Sequence, residues 1–114
     1  MRRGESLTDI FIIEKVIENP RAVQITYRQG NTIVVQKQLE ELAYEITYDE
    51  GGNPDGVQIM CYLSQEETLN FCANDDTLVQ VRIIDSDGES LVSTIEKIKV
   101  QECLDCNILP LDQQ

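Results

Sequence analysis

The chain has 114 residues, 41% apolar and 26% charged, the profile of one soluble globular domain with material for a single core. Twenty-one acidic residues against nine basic ones leave a net charge of −12. That balance speaks against nucleic acid or an anionic membrane as partner, since both are gripped by clustered Lys and Arg, and the absence of His excludes a His-based triad, general base or metal site.

At the start, Met1-Arg2-Arg3 is basic, but the apolar run Ile10-Phe11-Ile12-Ile13 is cut by Glu14 and Lys15. A signal peptide needs roughly 7–15 apolar residues and a membrane helix about 20. The expectation is a protein made and kept in a cytoplasm, or assembled from there.

Along the chain the apolar period is mostly two. Val23, Ile25 and Tyr27 alternate with Gln24, Thr26 and Arg28; Tyr44, Ile46 and Tyr48 with Glu45, Thr47 and Asp49. Val57, Ile59, Cys61 and Leu63 follow the same rule, as do Val79, Val81 and Ile83. Such patterns give strands with one apolar face, and their Val, Ile, Thr and Tyr content agrees. The spacing predicts strands over 8–17, 22–28, 32–38, 43–50, 57–63, 78–85 and 90–100. In the last, Leu91, Ile95, Ile98 and Val100 do not keep one parity, which predicts a bulge.

Between these runs stand turn signals. Asn53-Pro54-Asp55-Gly56 combines Pro and Asp at the corners with Gly at the left-handed position, predicting a hairpin. Asp85-Ser86-Asp87-Gly88 repeats the logic, and Gln29-Gly30-Asn31 is a weaker third case. Ser64-Gln65-Glu66-Glu67 is a capping box, in which the Ser64 hydroxyl accepts from the Glu67 amide and Glu67 reaches back. It predicts a short helix over Gln65–Asn70, pinned by Leu69 and Phe71. Beyond Val100 the pattern of the preceding strands is lost, and Leu111-Asp112-Gln113-Gln114 is expected to fray.

Together these elements predict one domain, residues 1–114: an all-β, immunoglobulin-like β-sandwich of about seven strands with one short connecting helix. The helical link between the fifth and sixth strands suits an immunoglobulin-like crossover. A hairpin at Gly30 suits it less, because it pairs strands that the immunoglobulin order separates.

Four cysteines are candidates for chemistry. Cys103-Leu104-Asp105-Cys106 has the C-x-x-C spacing of a zinc knuckle or redox pair, but Cys61 and Cys72 do not form the second pair that a zinc site wants. The motif also follows a strand near the C-terminus, not a helix start as in a redox protein. Cys61 fits its strand's apolar face as a core residue, and without an export signal disulfides are not expected. Asp85, Asp87, Glu89 and Glu96 resemble calcium ligands, yet Gly88 falls at the fourth loop position where an EF-hand needs the sixth; a hairpin turn explains them. Glu40-Glu41 and Glu66-Glu67 are expected on solvated surface, because paired carboxylates are common in an acidic chain. Ser and Thr have no His partner, and Lys15, Lys37, Lys97 and Lys99 lie in or beside strand-like runs. No Gly-rich phosphate loop occurs. No catalytic, cofactor-binding or metal-binding residue is assigned.

Several segments carry a resemblance: Arg3-Gly4-Glu5-Ser6, Ile25-Thr26-Tyr27-Arg28-Gln29-Gly30, and Leu63-Ser64-Gln65-Glu66-Glu67-Thr68-Leu69-Asn70-Phe71. Val79-Gln80-Val81-Arg82, Asp87-Gly88 and the ending from Val100 to Leu109, with Cys103-Leu104-Asp105, complete it. With these the chain resembles a family of small uncharacterised proteins from the structural-gene regions of phages and prophages of Firmicutes. It departs in the stretch from Leu39 to Gly56, which is longer than is usual there. The resemblance implies a β-rich, non-catalytic structural or assembly protein associated with tail or baseplate. It would be found in the virion or the cytoplasm of the bacterial host, with other phage structural proteins or a further copy of itself as partners. It implies no cofactor. The alternative is a small β-sandwich ligand- or glycan-binding module, which the 5% aromatic content and the lack of Trp disfavour, since sugars are recognised by stacking.

Overall fold

The computed structural model describes residues 1–92 and 96–100, with 96–99 described by backbone alone. The strands are β1 (Leu7–Ile13), β2 (Ala22–Gln29), β3 (Thr32–Gln38), β4 (Ala43–Tyr48), β5 (Pro54–Leu63), β6 (Asp76–Ile84), β7 (Ser90–Val92) and β8 (Glu96–Lys99). A 3₁₀ turn at Leu39–Glu41 and a helix α1 at Gln65–Leu69 join them. One antiparallel sheet has the order β1-β5-β4; the other runs β3-β2-β6, and β7 and β8 pair in succession with the free edge of β6. The fold is an all-β sandwich with seven strand positions and one short helix among the described residues.

Three of the four period-two patterns place the core as expected, whereas in β4 Tyr44 and Ile46 are only partly buried and Tyr48 is 62% exposed. Val23, Ile25 and Tyr27 of β2, all four of Val57, Ile59, Cys61 and Leu63 of β5, and Val79, Val81 and Ile83 of β6 are buried in one cluster. The chain crosses between sheets through residues 14–21, through Leu39–Glu41 and through α1. Ser64 caps α1 as predicted: its Oγ accepts from the Glu67 amide at 3.2 Å, and Glu67 Oε1 accepts from the Ser64 amide at 3.0 Å. Gly30, with φ +57°, is the first of the two residues between β2 and β3, where a tight hairpin needs a positive φ.

That hairpin puts β2 between β3 and β6. The immunoglobulin order would place it between the first and fifth strands, so the strand order departs from that arrangement here. Strand ends differ too. The first strand stops at Ile13 instead of 17, and the chain turns at Asn19, with φ +51°, and Pro20. Ile17 still reaches the core at 4% exposure, as part of the crossover and not of a strand.

The β4–β5 hairpin turns earlier than predicted. Its loop is 49–53, where Asp49 Oδ1 accepts from the Gly51 and Asn53 amides, both at 2.9 Å, and Gly52 takes φ +81°. Pro54 is the first residue of β5, a position that tolerates a missing donor. The register slips by one between Thr47 and Tyr48, which leaves Asp55 as a bulge. Gly56 does not take a left-handed conformation; it is needed for space, because a Cβ there would lie 2.3 Å from the Ile13 carbonyl oxygen. The Asp85–Gly88 turn forms as predicted, with Gly88 at φ +88° and its amide bound to the Asp85 carbonyl at 3.1 Å. In the last strand, Arg82 pairs Val92 and Val79 pairs Glu96. The register therefore advances by one residue between β7 and β8, as a bulge requires.

Two substitutions on neighbouring residues of β6 test the facing. Val81, 2% exposed, changed to Asp buries an unpaired charge and costs about 3–5 kcal/mol; Gln80→Asp, on the outward face, costs under about 1 kcal/mol. Urea denaturation of both variants reads the difference. Gly56→Ala, pressed against backbone that cannot yield freely, costs about 1–3 kcal/mol in the same assay.

Candidate functional site

Chemistry-bearing side chains gather between the sheets at the α1 end. β1 turns Leu7, Asp9, Phe11 and Ile13 toward the core, so a carboxylate enters the sandwich. Opposite it, Tyr27 of β2 is fully buried, its ring edge-on to Phe71 with centroids 5.9 Å apart. A buried phenol needs a partner, and the Tyr27 hydroxyl donates to Asp9 Oδ2. Burial, then the bond to Asp9, pushes the Tyr27 phenol far above its ordinary value. Cys61 of β5 lies beside it. Burial pushes the Cys61 thiol from 9.0 up to about 11, against the opposing pull of the Tyr27 hydroxyl and the Lys37 ammonium.

A second polar group adjoins. Lys37 Nζ of β3 lies 2.6 Å from Glu67 Oε2, with the two side chains 12% and 28% exposed. Burial acts to raise the Glu67 carboxyl, but Lys37 and Ser64 together hold it below its ordinary value. Gln29 Nε2 donates to the Cys72 carbonyl and to Thr77 Oγ1, while its Oε1 accepts from the Cys72 amide. Thr68 Oγ1 donates to the Glu5 carbonyl at 2.7 Å and accepts from the Gly4 amide at 3.0 Å. These bonds lash the N-terminal segment, α1 and β3 to the end of the core.

The arrangement is suited to holding and not to reacting. A nucleophilic cysteine needs a lowered pKa and access; Cys61 has a raised one and no exposure. Tyr27 stays neutral and its hydroxyl is engaged. Cys61 is the core residue expected, and Cys72 is exposed and free; Cys103 and Cys106 lie outside the described residues. Asp85 Oδ1 accepts from the Asp87 and Glu89 amides, both at 2.9 Å, so it caps its own turn. Among the described residues no three His, Cys, Asp or Glu side chains gather as metal ligands. Glu40, Glu41 and Glu66 are exposed as expected, whereas Glu67 is drawn into the ion pair. A groove of 580 Å³ between Glu18–Pro20 and Leu39, Tyr44 and Ile46 offers little chemistry: the Tyr44 hydroxyl donates to the Ile17 carbonyl at 2.7 Å.

The surface carries a different feature. The outward face of β1 presents Ile10 and Ile12, 58% and 69% exposed. Ile10 pairs with Met60 and Thr8 with Tyr62 on β5, and Met60 pairs with Ala43 on β4. Ile10, Ile12, Met60, Ala43 and the half-exposed Tyr62 therefore form an apolar patch across three strands, on a face they share with Thr8, Gln58 and Glu45. The sequence did not mark it, because in Ile10-Phe11-Ile12-Ile13 both parities are apolar. Among the described residues no helix is long and apolar enough to cross a membrane. Compared with protein-family models, curated proteins and solved structures, the chain has no match.

The buried groups set the pH dependence. For Cys61 and Tyr27 the folded value lies above the unfolded one, so the unfolded chain ionises first. Their contribution is fully present below pH 9 and is lost as pH rises. Urea midpoints are expected to fall between pH 9 and 11, less steeply in Cys61→Ala. Glu67 has the opposite sign: its contribution is present above its ordinary value of 4.5 and is lost as pH falls through the lowered one, so Glu67→Gln flattens the acid limb. At neutral pH Tyr27→Phe deprives Asp9 of its donor and costs about 1.5–3 kcal/mol.

Proposed function

We propose that the chain is a non-catalytic structural or assembly protein of a phage or prophage particle, associated with tail or baseplate. It acts through contacts with other phage structural proteins, in the virion or the host cytoplasm. The observation that carries this reading is the apolar patch on the outward face of β1 and β5, with Ile10, Ile12 and Tyr62 each at least half exposed. Burying one such side chain against a partner is worth roughly 1.5–3 kcal/mol, and a contiguous face of this kind marks an interaction surface. The resemblance to phage structural-region proteins supplies the class of partner. The non-catalytic part is supported by Cys61 and Tyr27, which are sealed in the core, and by Asp85, which is tied up in its own turn; exposed Cys72 stands apart from them. A glycan-binding role gains little support: Tyr62 stands level with Thr8 near α1 and Tyr48 pairs Pro54 at the other end of the sheet, so the two exposed tyrosines form no common stacking platform.

Ile12→Lys tests the reading. Ile12 is largely exposed, so the melting behaviour stays within about 0.5 kcal/mol of the parent. Particles from an induced prophage are expected to contain the parent chain and to lack the variant, read by mass spectrometry of purified particles. Absence of the parent chain from the particles, or equal incorporation of the variant, overturns it.

A further inference from the structure

Asp followed by Gly is a dipeptide whose backbone can rearrange without a catalyst. The Asp carboxyl is open to attack by the next amide nitrogen, and Gly has no Cβ to obstruct the approach. The sequence holds two such pairs, Asp55-Gly56 and Asp87-Gly88, and the fold treats them oppositely. The first lies inside β5, between β1 and β4: Val57 pairs Ile13 and Gly56 pairs Thr47. Gly56 is buried, the Ile13 carbonyl fills the space beside its Cα, and Asp55 Oδ1 accepts from the Thr47 hydroxyl at 2.7 Å. The second pair lies in the turn between β6 and β7, with both residues exposed. A Cβ on Gly88 would meet nothing nearer than the Arg21 guanidinium at 3.7 Å, and the Gly88 amide donates to the Asp85 carbonyl at 3.1 Å.

We propose that Asp87 is a site of spontaneous isomerisation to isoaspartate, and that the fold shields Asp55 from the same reaction. The Gly88 amide nitrogen attacks Cγ of the Asp87 carboxylic acid. A new N–Cγ bond closes a five-membered succinimide, and the amide hydrogen leaves with the acid's hydroxyl group as one molecule of water. Water then reopens the ring. Cleavage of the N–Cγ bond restores Asp87; cleavage between the nitrogen and the Asp87 main-chain carbonyl carbon leaves the backbone running through Cγ, with the α-carboxylate as a side group. Nothing is oxidised or reduced, and water is the sole co-reactant. The rate follows how readily each pair leaves its folded geometry. Exposed turns open at little cost, whereas a strand paired on both sides opens at a cost near that of global unfolding. Gly88 has to give up its bond to the Asp85 carbonyl; for Gly56, β5 must part from β1 and β4. The product disturbs the turn. The extra main-chain carbon lies between the Asp85 carbonyl and the Gly88 amide, and between the Asp85 carboxylate and the Glu89 amide that it holds at 2.9 Å. β7, which pairs β6 only from Ser90 to Val92, is loosened first, and with it Leu91, which packs against the core. This inference is independent of the functional reading above.

Ageing the intact protein in heavy-oxygen water at physiological temperature and pH tests it. Each succinimide that reopens takes up one heavy oxygen, and peptide mass spectrometry after digestion in ordinary water reads the uptake at Asp55 and Asp87 separately. A protein-isoaspartyl methyltransferase assay counts the isoaspartate formed. In the folded protein Asp87 is expected to take up label roughly tenfold or more faster than Asp55, and the gap is expected to close when the protein is aged in concentrated urea. Asp87→Glu, which would have to close a larger ring, is expected to remove most of the isoaspartate from the folded protein and to leave its urea midpoint unchanged. Equal uptake at the two sites in the folded protein overturns the proposal, as does uptake at neither site when both take up label in urea. A gap that persists unchanged in urea also overturns it, because the difference then belongs to the local sequence and not to the fold.

Discussion

A phenol hydroxyl carried between two sheets must find an acceptor, and much of this sandwich follows from where Tyr27 finds one. Asp9 serves only if β1 turns its odd-numbered residues inward. That choice buries parts of Leu7, Phe11 and Ile13 and leaves Ile10 and Ile12 in water. The opposite facing would bury two isoleucines and expose three apolar groups, at roughly 1.5–3 kcal/mol for each large side chain, and would leave the buried hydroxyl unmet at about 1–3 kcal/mol more. Both terms favour the observed facing. The core thus decides which residues of β1 face outward.

The same end of the molecule is fastened a second time through α1. Five residues are too few for a helix to stand by itself, so α1 exists because its ends are held. Glu67 serves both purposes, with one oxygen closing the capping box on Ser64 and the other on Lys37. A single carboxylate thereby connects the crossover helix to β3 in the opposite sheet from β5, which leads into the helix.

Much of the fold was legible because several strands obey a period of two with a single apolar parity. Val79-Gln80-Val81-Arg82-Ile83 left one facing open, and the structure adopts it. Ser64 and Glu67 were legible because a capping box is local in sequence. Where the reading failed, the deciding contact is distant. Asn53-Pro54-Asp55-Gly56 has the residue types of a turn, but the Asp49 carboxylate captures the turn four residues earlier, and Gly56 is required by the passing backbone of Ile13. The facing of β1 was hidden for the same reason: Ile10 to Ile13 are all apolar, and the tie-breaker is Tyr27 on another strand. The Tyr27–Asp9–Cys61 contact joins three strands, and no spacing along one of them announces it.

The pairing of β1 has a consequence for how the chain is born. Its partner β5 lies far downstream, since Leu7 meets Leu63 and Ile13 meets Val57, a gap of about fifty residues. At a synthesis rate of about 5–20 residues per second, β1 waits on the order of 3–10 s before its partner leaves the ribosome. Meanwhile the β2–β3 hairpin, closed by two residues, has had time to form many times over, as hairpins do so in about 1–10 μs. A nascent chain therefore carries a finished hairpin behind a bare strand rich in isoleucine, which emerges well before the strand that shelters it.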